Sequence, residues 1–188
     1  SLGVKIQLDE PVESIELEGR RLRAVHTSRD RYDADSFVIN ADFADWMTRH
    51  VPTELRRRWN DNAIEKKKFS CSTFMLYLGI EGCYENLPHH NIHISHDYEQ
   101  NLKEIETTHL LSNDPSFYVQ NASVTDPSLA PPGCSTLYVL VPVTHQHENV
   151  DWAIQGDAFR DRTLDRMAQI GCGDVRERIR FEHRITPD

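Results

Sequence analysis

Two apolar runs limit most severely what this chain can fold into. Residues 72–80 read "STFMLYLGI" and residues 136–143 read "TLYVLVPV". Short runs of β-branched and aromatic residues are the signature of strands. Side chains alternate along a strand, so Phe74, Leu76 and Leu78 share one face of the first run, and Met75 and Tyr77 share the other. "SFYVQNAS" (116–123) is a third such strand, and the turn-rich "VTDPSLAPPGCS" separates it from "TLYVLVPV". A fourth, "NIHISHDY", covers 91–98.

The flanking sequence supplies the other elements. "VKIQLDEPVESIEL" alternates apolar and polar residues, with Pro11 at a joint. With Gly19 and Asp30 as turns, it predicts a small antiparallel meander over about residues 3–34. "SFVINA" then gives a short strand buried on both faces, Phe37–Ile39. Residues 41–68 have helical composition, broken into two helices by Pro52. "EQNLKEIETTHLL" predicts a short amphipathic helix. "AFRDRTLDRMAQIGC" predicts a clear one, with Phe159, Leu164, Met167 and Ala168 near one face and Gly171 just past its end. "IRFEHRITPD" leaves as an extended segment. The sum is an α+β or α/β protein rather than a sandwich or bundle.

Composition excludes several functions. The 188 residues, 38% hydrophobic, suffice for one ordinary domain with a core. A net charge of −9 opposes nucleic-acid binding. No apolar run reaches the ~20 residues that span a bilayer. "SLGVKIQLDE" lacks the basic start and apolar core of a signal peptide, and reads as the middle of a chain entered at a strand. Cysteines 71, 83, 134 and 172 form no C-x-x-C pair, which speaks against zinc and redox motifs and makes a reducing cytoplasm the default compartment.

"LPHHNIHISHDY" (87–98) packs four of ten histidines into eight positions. On a strand, His90 and His96 face one side with Ile92 and Ile94, while His89 and His93 face the other. The same-side pairs then lie about 20 Å and 13 Å apart at ~3.3 Å per residue. Metal bonds of ~2.0–2.1 Å cannot bridge that. A helix would bring His89, His93 and His96 together, but Asn91, Ile92, Ile94 and Ser95 are weak helix formers. Packed or surface histidines, and no metal, is the favoured reading.

The same stretch, "LPHHNIHISHDYEQNLKEI", followed by "DPSFYVQNASVTDPSLAPPG", "LYVLVPV", "DW" and "FRDRTLDRM", resembles the bacterial and fungal phytoene desaturases. "CSTFMLYLGI", "GVKIQLDEPVESIELEGRRLRAV", "DADSFVINAD" and the closing "ITPD" are similar to it as well, so the resemblance runs in order along nearly the whole chain. The family belongs to the amine-oxidase-like flavoproteins. Its two glycine-rich flavin-adenine-dinucleotide (FAD) segments are not in this sequence, so the resemblance implies an internal piece, less than half of the enzyme. It implies an α+β fold in which residues 1–45 are a strip of the FAD domain, a β-meander and a strand. Residues 46–188 would be most of a mixed-sheet substrate domain with flanking helices.

The implied chemistry is oxidation of a polyene hydrocarbon, with a hydride passing to flavin and a proton leaving the adjacent carbon. The cofactor carries the redox step, and the protein supplies an apolar tunnel. The resemblance points to Val12 at the adenine and to Asn40 and Ala41 at the strand end near the cofactor, with a capping role for Asn40 an equal alternative. Asp42 reads as a helix N-cap. Neither a catalytic base nor the tunnel-lining face is legible. Sister enzymes on the same scaffold (a carotenoid isomerase, ketolase or retinol saturase) and a non-catalytic module remain alternatives. Peripheral attachment to membranes is expected of an enzyme whose substrate dissolves there. Phe43, Trp46, Met47 and Trp59, beside Arg56, Arg57, Arg58, Lys66, Lys67 and Lys68, are the candidate contact, against the alternative that both tryptophans pack into the core.

Overall fold

The computed structural model describes residues 3–188. The chain forms two compact units, Ser1–Lys68 and Phe69–Asp188.

In the first unit, β1 (Val12–Glu18), β2 (Arg21–Thr27) and β3 (Arg31–Asp33) form the expected antiparallel meander in the order β1-β2-β3. Ala24 on β2 is fully buried. The Asp30 turn is tied by Thr27, whose hydroxyl accepts the Asp30 backbone N–H at 3.0 Å. The meander starts later than the alternation suggests. Residues 4–11 lie outside any strand, and Val4, Ile6 and Leu8 are about three-quarters exposed. Asp9, with φ 54°, turns the chain just before Pro11.

The expected strand Phe37–Ile39 is also absent. Residues 36–40 belong to no strand, and Val38 is 93% exposed. Apolar composition favours an extended backbone, but a strand needs a neighbouring ladder to satisfy its N–H and C=O groups. No described strand pairs with this segment.

Helix α1 (Phe43–His50) is capped as anticipated: the Asp42 carboxylate accepts the Asp45 N–H at 2.9 Å. Pro52 separates two α-helices as expected, with additional 3-10 turns between them. Two 3-10 turns, Thr53–Leu55 and Arg57–Trp59, precede the short α2 (Asp61–Glu65).

The second unit is built on a five-stranded sheet, β5-β6-β7-β4-β8. The two runs singled out from sequence are its centre. β4 (Ser72–Glu81) and β7 (Cys134–Val143) pair over ten residues, from Ser72 opposite Val143 to Glu81 opposite Cys134. β6 (Phe117–Asn121) and β5 (His90–His93) extend it on one side, and β8 (Ile179–Ile185) on the other. Every pairing among the described strands is antiparallel, so the α+β class holds while the sheet is not mixed.

One face of this sheet is the core. Phe74, Leu76, Leu78, Ile80, Leu137, Val139, Val141 and Val143 are at most 2% exposed. Helix α4 (Trp152–Arg166) lies over them and continues into a 3-10 turn, Met167–Ile170. Phe74 stacks on Trp152 at 5.5 Å and meets Phe159 edge-on at 5.2 Å. α4 starts earlier than its apolar pattern suggested, because the Asp151 carboxylate caps the Ala153 and Ile154 N–H groups. Phe159, Leu164 and Met167 are buried as expected, whereas Ala168 is exposed, because the 3-10 turn rotates it off the core face. Gly171 ends the element in the left-handed region, φ 88°. Four charged contacts bind α4 outward: Arg160 to Glu182 and Arg184 to Asp157 towards β8, Arg162 to the Ser112 carbonyl, and Arg166 to Asp114.

The remaining elements depart from the alternation. β5 stops at His93. α3 (Tyr98–Lys103) passes into a π-helical turn, Glu104–Thr108, that ends at His109 with φ 52°. α5 (Val175–Arg178) leads into β8.

Candidate functional site

The other face of the five-stranded sheet carries no helix from this unit, yet its residues are largely apolar or aromatic. Register places them in rows across the strands. One row runs Gln120, Tyr138, Tyr77, His183 over β6, β7, β4 and β8. Its neighbour runs Tyr118, Leu140, Met75, Ile185. The next row, in the opposite direction, is small: Thr136 opposite Gly79, then Phe181 on β8, with Ala122 just beyond β6.

The step from bulky to small residues makes a groove. Ala122, Thr136 and Gly79 form its floor, and Gln120, Tyr138 and Tyr77 form one wall. Phe181 stands at the β8 end. The volume is about 480 Å³, and no lining residue is charged. That size lies within the range of small-molecule clefts, and across four strands it spans roughly 14 Å at ~4.8 Å per strand.

The wall is held by aromatic contacts. Tyr77 and Tyr138 lie 5.1 Å apart between ring centres, Tyr118 and Tyr138 lie 6.2 Å apart, and Tyr77 and His183 6.1 Å. Such pairs contribute about 0.5–1.5 kcal/mol beyond area burial. The Tyr138 hydroxyl donates to the Met75 sulfur at 3.1 Å. Burial first, and the neighbouring Tyr77 and Tyr118 second, raise the Tyr138 pKa above the usual phenol value. Tyr138 therefore favours its neutral form and presents an amphipathic wall. At the far edge, the His90 ring and the Tyr118 hydroxyl are hydrogen-bonded at 2.7 Å.

Each histidine of 87–98 has its own partner. His89 meets the Thr125 hydroxyl at 2.7 Å and the Gln120 amide at 3.0 Å. His93 stacks on Phe117 at 4.9 Å and meets Arg166 at 2.9 Å. Burial first, then the Arg166 charge, lowers the His93 pKa. His96 does not share a strand face with His90, because β5 ends before it, and it pairs with Asp114 at 3.1 Å. Among the described residues no three His, Cys, Asp or Glu side chains converge in a way that could hold a metal ion.

A second histidine group was not visible in sequence. His109 stacks on His147 at 4.3 Å and lies 5.0 Å from His145. The separation of 36 positions between His109 and His145 hides the proximity; His109 itself ends the π-helical turn in the left-handed region, φ 52°. Burial, then the two neighbouring imidazoles, lowers the His109 pKa.

The residues anticipated at a cofactor lie in the first unit. Val12 opens β1 opposite Thr27 and is half-buried. Asn40 and Ala41 are exposed, outside any strand, just before the Asp42 cap. The expected basic cluster is altered at one position: Arg56 is 5% exposed, held by Asp61 and the Thr53 hydroxyl. Buried under its own turn, it cannot face a surface. Arg58 and Lys67 lie over the Trp59 ring at 5.1 Å and 5.2 Å, and Phe43 meets the same ring at 5.0 Å. Trp46 and Trp59 are both half-buried. No described helix is long and apolar enough to cross a membrane.

The fold is similar to part of a solved oxidoreductase from Methanosarcina mazei. The TM-score is 0.55 at 13% identity, over 93% of this chain and 36% of that one. No family model matches. Among curated proteins, the chain is 40% identical over 187 residues to a 4,4'-diapophytoene desaturase from Methylomonas, covering 98% of this chain and 36% of that protein. It is also 40% identical over 191 residues to an all-trans-zeta-carotene desaturase from Myxococcus xanthus, covering all of this chain and 36% of that protein. The chain is thus a relative of the carotenoid desaturases along its whole length, and it spans little more than a third of theirs.

Proposed function

We propose that the protein carrying this chain is an FAD-dependent carotenoid desaturase, and that the open sheet face receives its polyene substrate. The observation that carries the reading is the 40% identity to carotenoid desaturases along essentially the whole chain. The groove supports it. A hydrocarbon has no hydrogen-bonding groups, so it selects for an uncharged slot whose shape alone discriminates. Tyr77, Tyr138 and the small floor residues would orient the chain and exclude water. When bound, the flavin would supply the oxidising power by accepting the hydride that leaves one carbon as its neighbour loses a proton.

The residues of the first unit suit a strip of cofactor contact and no more. Asn40 and Ala41 offer an exposed backbone next to a helix start, and Val12 offers the edge of the meander. No described turn gives the glycine-rich phosphate cradle that dinucleotides require, so that part of the site would come from outside this chain. We assign residues 1–45 to the flavin domain and 46–188 to the substrate domain. The exposed Val4, Ile6, Leu8, Val38 and Ile39 are consistent with a strip of a larger sheet. Peripheral membrane attachment would follow from a substrate dissolved in lipid, with Phe43 and the Trp59 region as the contact.

The test is product analysis. The full-length protein, incubated with phytoene and later intermediates, should show flavin absorbance and form products with longer conjugation. A flavin-free protein that converts none of them overturns the reading.

A further inference from the structure

We infer that Phe181 closes the β8 end of the groove and sets how much of an acyclic polyene the groove accepts. This rests on the reading of the open face as the polyene site.

The geometry begins with Gly79. It stands opposite Phe181 in the β4–β8 ladder, and a Cβ on Gly79 would lie 3.2 Å from the Phe181 Cβ and 4.0 Å from its Cδ1. The approach to the Phe181 Cβ is tighter than most Cβ contacts, while that to the ring is ordinary van der Waals contact, so glycine here lets β4 and β8 pass closely at Phe181 and leaves the floor bare beside its ring. Immediately beyond this pair the β4–β8 register shifts, between Gly79 and Ile80. A bulge re-aims the side chains beside it.

A structural role alone does not account for the arrangement. An aromatic residue lying across a cross-strand glycine commonly shields the bare backbone, yet Phe181 remains 61% exposed. Burial is not what holds a phenyl ring in that place. β8 is an edge strand, and Phe181 is the one bulky residue in a row otherwise made of Ala122, Thr136 and Gly79. An apolar chain lying along the floor from β6 towards β4 would run into it. The stop is apolar and takes an apolar chain end, so a polyene with an unmodified hydrocarbon terminus fits.

The experiment uses the full-length protein and two acyclic substrates of different length, 4,4'-diapophytoene and the longer phytoene, scored by the ratio of their kcat/KM values. Phe181→Ala should move the ratio towards the longer substrate by about tenfold or more, the scale on which a pocket's size discriminates hydrocarbons. Phe181→Trp should move it the other way. Opposite shifts from the two Phe181 variants cannot arise from misfolding. Both ratios within about twofold of the parent protein, which itself converts at least one substrate, overturn the stop while sparing the polyene reading. A parent protein that converts neither substrate removes both.

Discussion

The two faces of the five-stranded sheet have the same kind of sequence and different surroundings. On the helix-covered face, Phe74, Leu76, Leu78 and Ile80 alternate with nothing polar and are buried. On the open face, Met75, Tyr77, Tyr138, Leu140 and Phe181 are nearly as apolar, yet Tyr77 is 39% and Phe181 61% exposed. A sheet that faces water on one side normally alternates hydrophobic with polar residues. Apolar residues on both sides, with only one side packed within this unit, are what the proposed polyene face requires.

The sharpest way to break the comparison is to truncate one large aromatic on each face. Phe74→Ala should destabilise the protein by about 3–5 kcal/mol, as buried aromatic deletions do. Tyr77→Ala should cost well under half of that, since it is already partly solvated. Equilibrium denaturation of the two variants decides it, and equal losses would make the open face ordinary core.

Filling the floor comes next. Thr136→Phe should leave the denaturation midpoint close to the parent's while lowering polyene conversion by tenfold or more, because the side chain would occupy the slot between Tyr138 and Phe181. Unchanged steady-state kinetics would place the substrate elsewhere.

A smaller effect sharpens the contrast between the groove and the first unit. If that unit's aromatic-basic surface touches lipid, Lys67→Gln should weaken flotation with anionic vesicles by at most ~1 kcal/mol. Ile92→Ser on the open face, where Ile92 is 74% exposed, should not change it. A reversal of the two results would make the open face the membrane contact.

The smallest effect is a dependence of stability on pH, carried by groups away from the open face. His93, behind the core face, and His109, beyond the end of β7, have pKa values lowered chiefly by burial. In the unfolded chain each returns to about 6.5, so below that value the unfolded state binds more protons. The stability they contribute is therefore complete above about pH 6.5 and falls as pH drops through it. Melting temperatures from neutral to mildly acid pH should decline, and His93→Gln with His109→Gln should flatten the slope. An unchanged slope assigns the acid sensitivity to other groups.

Much of this was legible in the order of residues. The strands β4, β6 and β7, the meander around Gly19, the Asp42 cap and the Gly171 stop all depend on local chemistry: alternation, branching, a short acceptor side chain, a left-handed backbone. The resemblance to carotenoid desaturases was legible for the same reason, since it lies in contiguous strings. The segment 36–41 and residues 4–8 were misread because strand propensity does not say whether a partner ladder exists. His96 was misread because β5 stops where alternation does not.

What the sequence determined by itself was a set of elements and their apolar faces. It could not determine which apolar face would be covered. Register did that: the β4–β7 ladder puts Thr136 beside Gly79, β8 sets Phe181 at their end, and α4 covers only the opposite side. A groove is a difference in height between neighbouring rows. Its rows come from strands up to about a hundred residues apart in the chain, from Gly79 to Phe181, and only tertiary pairing makes them neighbours.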